Sequence, residues 1–138
     1  MIVTRRIGLK TAGNGDIIDI TPQVVKEVAA GKVRNGTVTV FVTGSTAAVT
    51  TIEFEPGLLS DFKGMWERLI PRSMPYQHDS AWGEGNGFSH VRASLLGPSL
   101  VIPLVDSVLA LGTWQQIVLV EFDHRPRSRD IVVQIAGE

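Results

Sequence analysis

No cysteine occurs among the 138 residues, so the chain has no disulfide framework, no thiolate nucleophile and no sulfur ligand for zinc. Any metal site must be built from nitrogen and oxygen. Aromatic residues are scarce at 7%, and 13 Lys and Arg nearly balance 14 Asp and Glu for a net charge of -1. Neither sign forms a long block, so neither nucleic acid nor an anionic membrane is an expected partner. Long apolar runs are missing too: VLALG and IVLVEF fall well short of the roughly 20 residues that span a bilayer. The N-terminal MIVTRRIGLKTAGNGD alternates apolar with polar residues instead of forming the apolar core of a signal peptide. The expectation is a soluble, cytoplasmic chain folded as a single domain over residues 1–138, without repeat or linker. What the chain does have is 43% hydrophobic residues, enough for one real core.

Residues 2–9 and 16–20 read as strands joined by the turn signal AGNG, whose glycines and asparagine tolerate positive φ. TPQVVKEVAAG offers a capping Thr21, Pro22 in the first turn and a terminal Gly31, the start and stop signals of a helix. TVTVFVT and AVTTIEF are rich in β-branched residues and flank a short turn at Gly44 and Ser45, which predicts a hairpin. Period-two counting puts Val49, Thr51 and Glu53 on one face of its second strand. After Pro56, Leu58, Phe62, Met65 or Trp66, and Leu69 recur at helical spacing until Pro71, with Asp61 at the border of that face.

PRSMPYQHDSAWGEG, residues 71–85, shows no period and reads as an ordered surface loop. A short helix follows, with Phe88, Val91 and Leu95 on a packing side and Gly87, His90 and Ser94 on the other, ended by Gly97 and Pro98. SLVIPLV, VLALG, WQQIVLVEF and RDIVVQIA read as strands, with turns at Asp106-Ser107 and around His124-Arg125-Pro126. About eight strands against two or three helices predict an α+β fold with mainly antiparallel pairing.

The stretch GEGNGF breaks the dinucleotide pattern GxGxxG and follows no strand, and no Walker sequence occurs. Asn86 and Gly87 at a helix N-terminus can attract an anion or simply cap the helix. His78 and His90, flanked by Asp79, Glu84 and Asn86, can converge as ligands for zinc or another divalent ion, as phosphate donors or as proton shuttles. They can equally be two separate, partly exposed histidines. TGSTAAV, with Ser45 and Thr46, is either a phosphate cradle or plain turn chemistry. Glu53, Asp61, Glu84 and Glu121 are candidate bases or metal ligands, against the reading of solvated carboxylates. Arg127 and Arg129 alternate, so they project to one side, as an anion clamp or as edge-strand charges. Trp66, Trp82 and Trp114 read as core or interface residues.

Several segments together resemble one family. TGSTAAVTTIEFEPGLLSDF, the lone His78, the run EGNGFSHVRASLLGPSLVIPLVDSVLALGTWQQIVLVEFD and RPRSRDIVVQIAGE look like the YjbQ-type family, described as secondary thiamine-phosphate synthases. The likeness covers nearly the whole chain and is weakest at its N-terminal end. It implies a compact α+β pseudobarrel assembling as a homotrimer, with a weak ability to join a pyrimidine diphosphate to a thiazole phosphate.

Matching positions are Glu53, Asp61, His78, Asn86, His90, Arg92, Gln115, Glu121 and Arg129. Where relatives often read HTTAA at the hairpin, this chain has Gly44, Ser45 and Thr46, so no role passes to a histidine there. The resemblance implies that His78 and His90 act on a diphosphate, alone or with a divalent ion, zinc or magnesium. Glu53 or Asp61 would hold the aminopyrimidine or a metal ligand. Arg92 or Arg129 would stabilise the leaving group, and Ser45, Thr46, Asn86 and Gln115 would contact substrate. The classical thiamine-phosphate synthase is a TIM barrel, typically about 250 residues long, so the chemistry would be housed differently here. The alternative is a non-catalytic homotrimer that binds a metal or a phosphometabolite.

Overall fold

Alternation is cleanest in the last strand, where Arg129, Ile131, Val133 and Ile135 are buried while Ser128 and Gln134, on the opposite face, are exposed. The computed structural model describes residues 1–138. In chain order its elements are β1 (Ile2–Thr11), β2 (Ile17–Asp19), α1 (Thr21–Gly31), β3 (Gly36–Thr43), β4 (Ala47–Ile52) and α2 (Pro56–Leu69). There follow α3 (Gln77–Trp82), α4 (Gly87–Leu96), β5 (Ser99–Val105), β6 (Val108–Leu109), β7 (Gln116–Glu121) and β8 (Arg127–Gly137). The fold is α+β, with every strand pair antiparallel, in the pseudobarrel or sandwich class that was expected. No helix is long and apolar enough to cross a membrane.

Two sheets, ordered β1-β8-β3-β5-β6 and β2-β7-β4, face each other across the larger core. Val38, Val40 and Val42 of β3 and the inward residues of β8 meet Val49, Ile117 and Leu119, with Val24 and Val28 of α1 closing one end. The opposite face of the smaller sheet presents Ala48, Val118 and Val120 to a second core with Trp66 of α2 and Ala93 of α4. β7 is thus buried on both faces, which is why IVLV reads as an unbroken apolar run instead of alternating.

Several expectations are corrected. TVTVFVT and AVTTIEF do not pair: β3 lies between β8 and β5, whereas β4 pairs with β7 in the other sheet. The backbone N–H of Val42 donates to Pro98 O at 2.9 Å and that of Val49 to Gly97 O at 3.2 Å, so residues 97–98 bridge the strands where they diverge. The strands on either side of AGNG likewise go to different sheets, although positive φ occurs at Gly13, Asn14 and Gly15 as the turn signal required. Glu53 lies beyond the end of β4 and is exposed.

The stretch 71–85 contains α3, a fourth helix where two or three were expected, ended by Gly83 in the left-handed region at φ 69°. In α4 the buried side is Phe88, Ser89, Arg92 and Ala93, while Val91 and Leu95 are 44% and 64% exposed. Small Ser89 and Ala93 allow the helix to approach the sheet, and Ser89 Oγ donates to Phe122 O at 2.6 Å. Leu69, expected on the packing face of α2, is exposed as well. Arg127 and Arg129 share the core-facing side of a central strand, so neither is an edge-strand charge.

Candidate functional site

The start of α4 and the start of α3 are held together by a glycine. A Cβ on Gly87 would stand 2.7 Å from Tyr76 Cβ and 3.1 Å from Asp79 Oδ1, so only glycine lets α3 lie this close. Asp79 Oδ1 accepts the Gly87 N–H at 2.8 Å, capping α4 from eight residues upstream. That carboxylate takes the anion position the sequence had suggested for an exogenous ligand. Tyr76 packs beneath, its hydroxyl donating to Pro71 O at 2.6 Å, and burial pushes its pKa above the ordinary tyrosine value.

This joint brings the rings of His78 and His90 together in a tilted arrangement, with centroids 4.6 Å apart and planes 47° apart. His78 Nδ1 lies 3.5 Å from Asp79 Oδ1, at the outer limit of a hydrogen bond. No set of three or more His, Asp or Glu side chains forms a metal-binding cluster within the chain. Two imidazoles so placed have the chemistry to supply two nitrogen ligands or two hydrogen-bond donors.

His90 opens onto a cleft of about 500 Å³ that includes Gly44, Ser45, Ser94 and Pro98. The cleft lies where the chain crosses from β3 to β4. Behind it stands an inter-sheet clamp: Arg129 of β8 donates through Nε to Glu121 Oε2 of β7 at 2.7 Å and through Nη2 to Glu121 Oε1. Nη2 also donates to Thr46 Oγ1 at 2.7 Å, and Thr11 Oγ1 donates to Glu121 Oε2 at 2.7 Å. Thr46 Oγ1 in turn donates to Asp123 Oδ2 at 3.2 Å, where Arg127 Nε also donates at 2.9 Å. Burial works to raise the Asp123 carboxyl, but Arg127, the Arg125 amide and Thr46 outweigh it and hold its pKa below the ordinary value. A Cβ on Gly44 would stand 2.7 Å from Arg129 Nη1, so glycine here makes room for the guanidinium against the cleft wall.

The structure thus brings His78 against His90 and places His90 with Ser45 on one cleft, which His78 does not line, with Thr46 and Arg129 buried behind it. Asn86 is 2% exposed at the start of α4, and its Oδ1 is buried without a partner. Arg92 faces the other way. Its Nε and Nη2 donate to Ile70 O at 3.0 and 2.8 Å and Nη2 to Glu67 Oε1 at 2.8 Å, so it closes the C-terminal end of α2. The hydrogen bond and charge of Arg92 hold the Glu67 carboxyl below its usual range. Gln115 donates to Thr51 Oγ1 at 3.0 Å, in a separate depression with Thr50 and Leu100. Glu53 and Asp61 are exposed and line neither this cleft nor that depression. Asp79, named in the sequence only as a neighbour of His78, and Asp123 take their roles largely from partners on other elements, Gly87 and Thr46 among them.

A chain of two antiparallel sheets, with helices on the smaller one and paired histidines beside the strand crossing, defines an α+β class with a histidine cleft. The chain belongs to the UPF0047 YjbQ-like family, whose model matches residues 5–138. It is 43% identical over 126 residues to a UPF0047 protein of Archaeoglobus fulgidus, covering 91% of this chain and 95% of that one. A UPF0047 protein of Methanothermobacter thermautotrophicus is 38% identical over 137 residues, covering 99% and 94%. Among solved structures, a hypothetical protein from Aeropyrum pernix superposes with a TM-score of 0.92 at 33% identity over 99% of both chains. A YbjQ-like protein from Sulfolobus solfataricus gives 0.90 at 31% identity over the full length of both.

Proposed function

We propose that this protein is a cytoplasmic transferase of the thiamine-phosphate synthase type that joins a pyrimidine diphosphate to a thiazole phosphate at the cleft lined by His90, with His78 beside it. The carrying observation is the pair of imidazoles with centroids 4.6 Å apart beside an open cleft. Two convergent donors suit a diphosphate, whose charge grows as it departs. In the reaction the C–O bond between the pyrimidine methylene and the diphosphate breaks, and pyrophosphate leaves with the electron pair. The thiazole nitrogen then donates its lone pair to the methylene, forming the C–N bond of a thiazolium. No oxidant or reductant is consumed.

His90 and His78 hold the departing oxygens, and Ser45 and Ser94 offer hydroxyls along the same cleft. Arg129, committed to Glu121 and Thr46, shapes the wall rather than gripping substrate through its paired nitrogens. Zinc would fit as a third participant through the two imidazole nitrogens, and magnesium through diphosphate oxygens; either would supply positive charge to the leaving group. A homotrimer is part of the proposal, supported by Phe41, Val101 and Val105, apolar side chains exposed on the larger sheet.

One observation favours a second reading, a binding protein without turnover. His90 is the one ionisable side chain among the residues lining the cleft, so a partner base for chemistry is not at hand there. Incubating tag-free protein with both thiamine precursors and magnesium decides between them. The transferase reading expects thiamine phosphate, lost in His90→Ala, from a species of three times the chain mass. No product, or product undiminished in His90→Ala, contradicts it.

A further inference from the structure

A second cavity lies on the other side of α4. Residues two apart on a helix point roughly 200° apart, so Phe88 and Arg92 face away from His90. There they join α2 and β7 around a recess of about 200 Å³ that shares no lining residue with the histidine cleft. Its walls are aromatic. Trp66 meets Phe62 edge-on at 5.8 Å and Phe122 at 5.0 Å, and Phe88 closes another side. An apolar cavity of about 150 Å³ holds benzene, so this one has room for a single ring with a small substituent.

The rim is cationic. Lys63, Arg72 and Arg92 line it against a single carboxylate, Glu67, and Glu67 is already paired with Arg92 at 2.8 Å. Lys63 makes no ion pair, and the Arg72 guanidinium donates to the neutral Asn14 Oδ1 at 3.1 Å without a carboxylate in direct contact, although its charge helps hold Glu67 below the ordinary range. The Arg72 and Arg92 guanidinium carbons stand 5.4 and 4.9 Å from the Phe88 ring centroid, which fixes both charges beside the aromatic wall. The Trp66 indole N–H is buried without an acceptor in a side chain only 4% exposed. A buried donor left unpaired is costly, and Trp66 is one wall of this recess.

We infer that this recess is a binding site for a small aromatic carboxylate, its ring among Phe62, Trp66, Phe88 and Phe122 and its charge toward Lys63 and Arg72. The inference is independent of the histidine cleft. Benzoate is the probe, with benzamide as its uncharged counterpart. Trp82 and Trp114 are exposed, so the double variant Trp82→Phe, Trp114→Phe leaves Trp66 as the sole indole reporter.

Benzoate should change Trp66 emission along a saturable curve, matched by calorimetry. Affinity should fall about tenfold in Arg72→Gln and several-fold in Lys63→Gln, in keeping with charge-assisted contacts. Lys63 is exposed, so its variant tests the site without risk to the fold. His90→Ala should bind benzoate unchanged. A flat titration into the millimolar range overturns the inference, as does equal affinity for benzamide, equal affinity in both charge variants, or loss of binding in His90→Ala.

Discussion

Arg129 and Glu121 are charged residues placed between two sheets, 7% and 0% exposed, and their mutual hydrogen bonds make that burial tolerable. Removing one partner strands the other, at a cost of about 3–5 kcal/mol, whereas replacing both with apolar groups can be close to neutral. Asp123 beside them carries a pH dependence of definite sign. Its folded pKa lies below the ordinary 3.8, so its contribution is present in full above that value and is lost as pH falls through the folded pKa. Urea denaturation of the wild type from about pH 5 down to about pH 2 should show this loss below the ordinary value, and Asp123→Asn should show a shallower slope over the same interval. Equal slopes would mean that Asp123 does not stabilise through its charge.

At the scale of elements, the contact between α3 and α4 decides whether the histidines meet. Gly87→Ala places a methyl against Tyr76 and the Asp79 carboxylate, an overpacking expected to cost about 1–3 kcal/mol. The expected outcome is a folded protein of lowered stability in which the NMR contacts between the His78 and His90 rings are lost. Retention of those contacts with unchanged stability would show that the glycine is not the reason for their proximity. α1, α2 and α4 were legible because proline, glycine and apolar spacing mark both ends. α3 was not, since six residues leave no period to read and its Gly83 stop stands among other glycines. The hairpin expectation failed for a related reason: Gly44 and Ser45 announce a reversal, but nothing local says that the next strand joins another sheet.

For the molecule as a whole, the smaller sheet is the shared layer, with one face on the larger sheet and the other on α2 and α4. The α+β class and the antiparallel pairing were legible in the strand spacing, because many short β-branched runs with turn signals permit little else. His78 and His90 were legible as candidates from residue type alone. Their convergence was one of two readings the sequence left open, which spacing alone did not decide. The inward pairing of Arg92 and Arg129 left no local mark, since the partners stand on other elements. Arg92, for example, meets Ile70 across 22 positions of chain.

The central claim is that His78 and His90 act on one guest. Three histidines are present, and the third, His124, lies elsewhere with its Nδ1 3.4 Å from Asp123 Oδ1. The most direct test follows the imidazole nitrogens of all three by NMR while pyrophosphate is added. The account predicts that His78 and His90 shift together along one saturation curve while His124 stays still. Shifts of only one of the pair, two unrelated curves, or no shift at saturating pyrophosphate would contradict it.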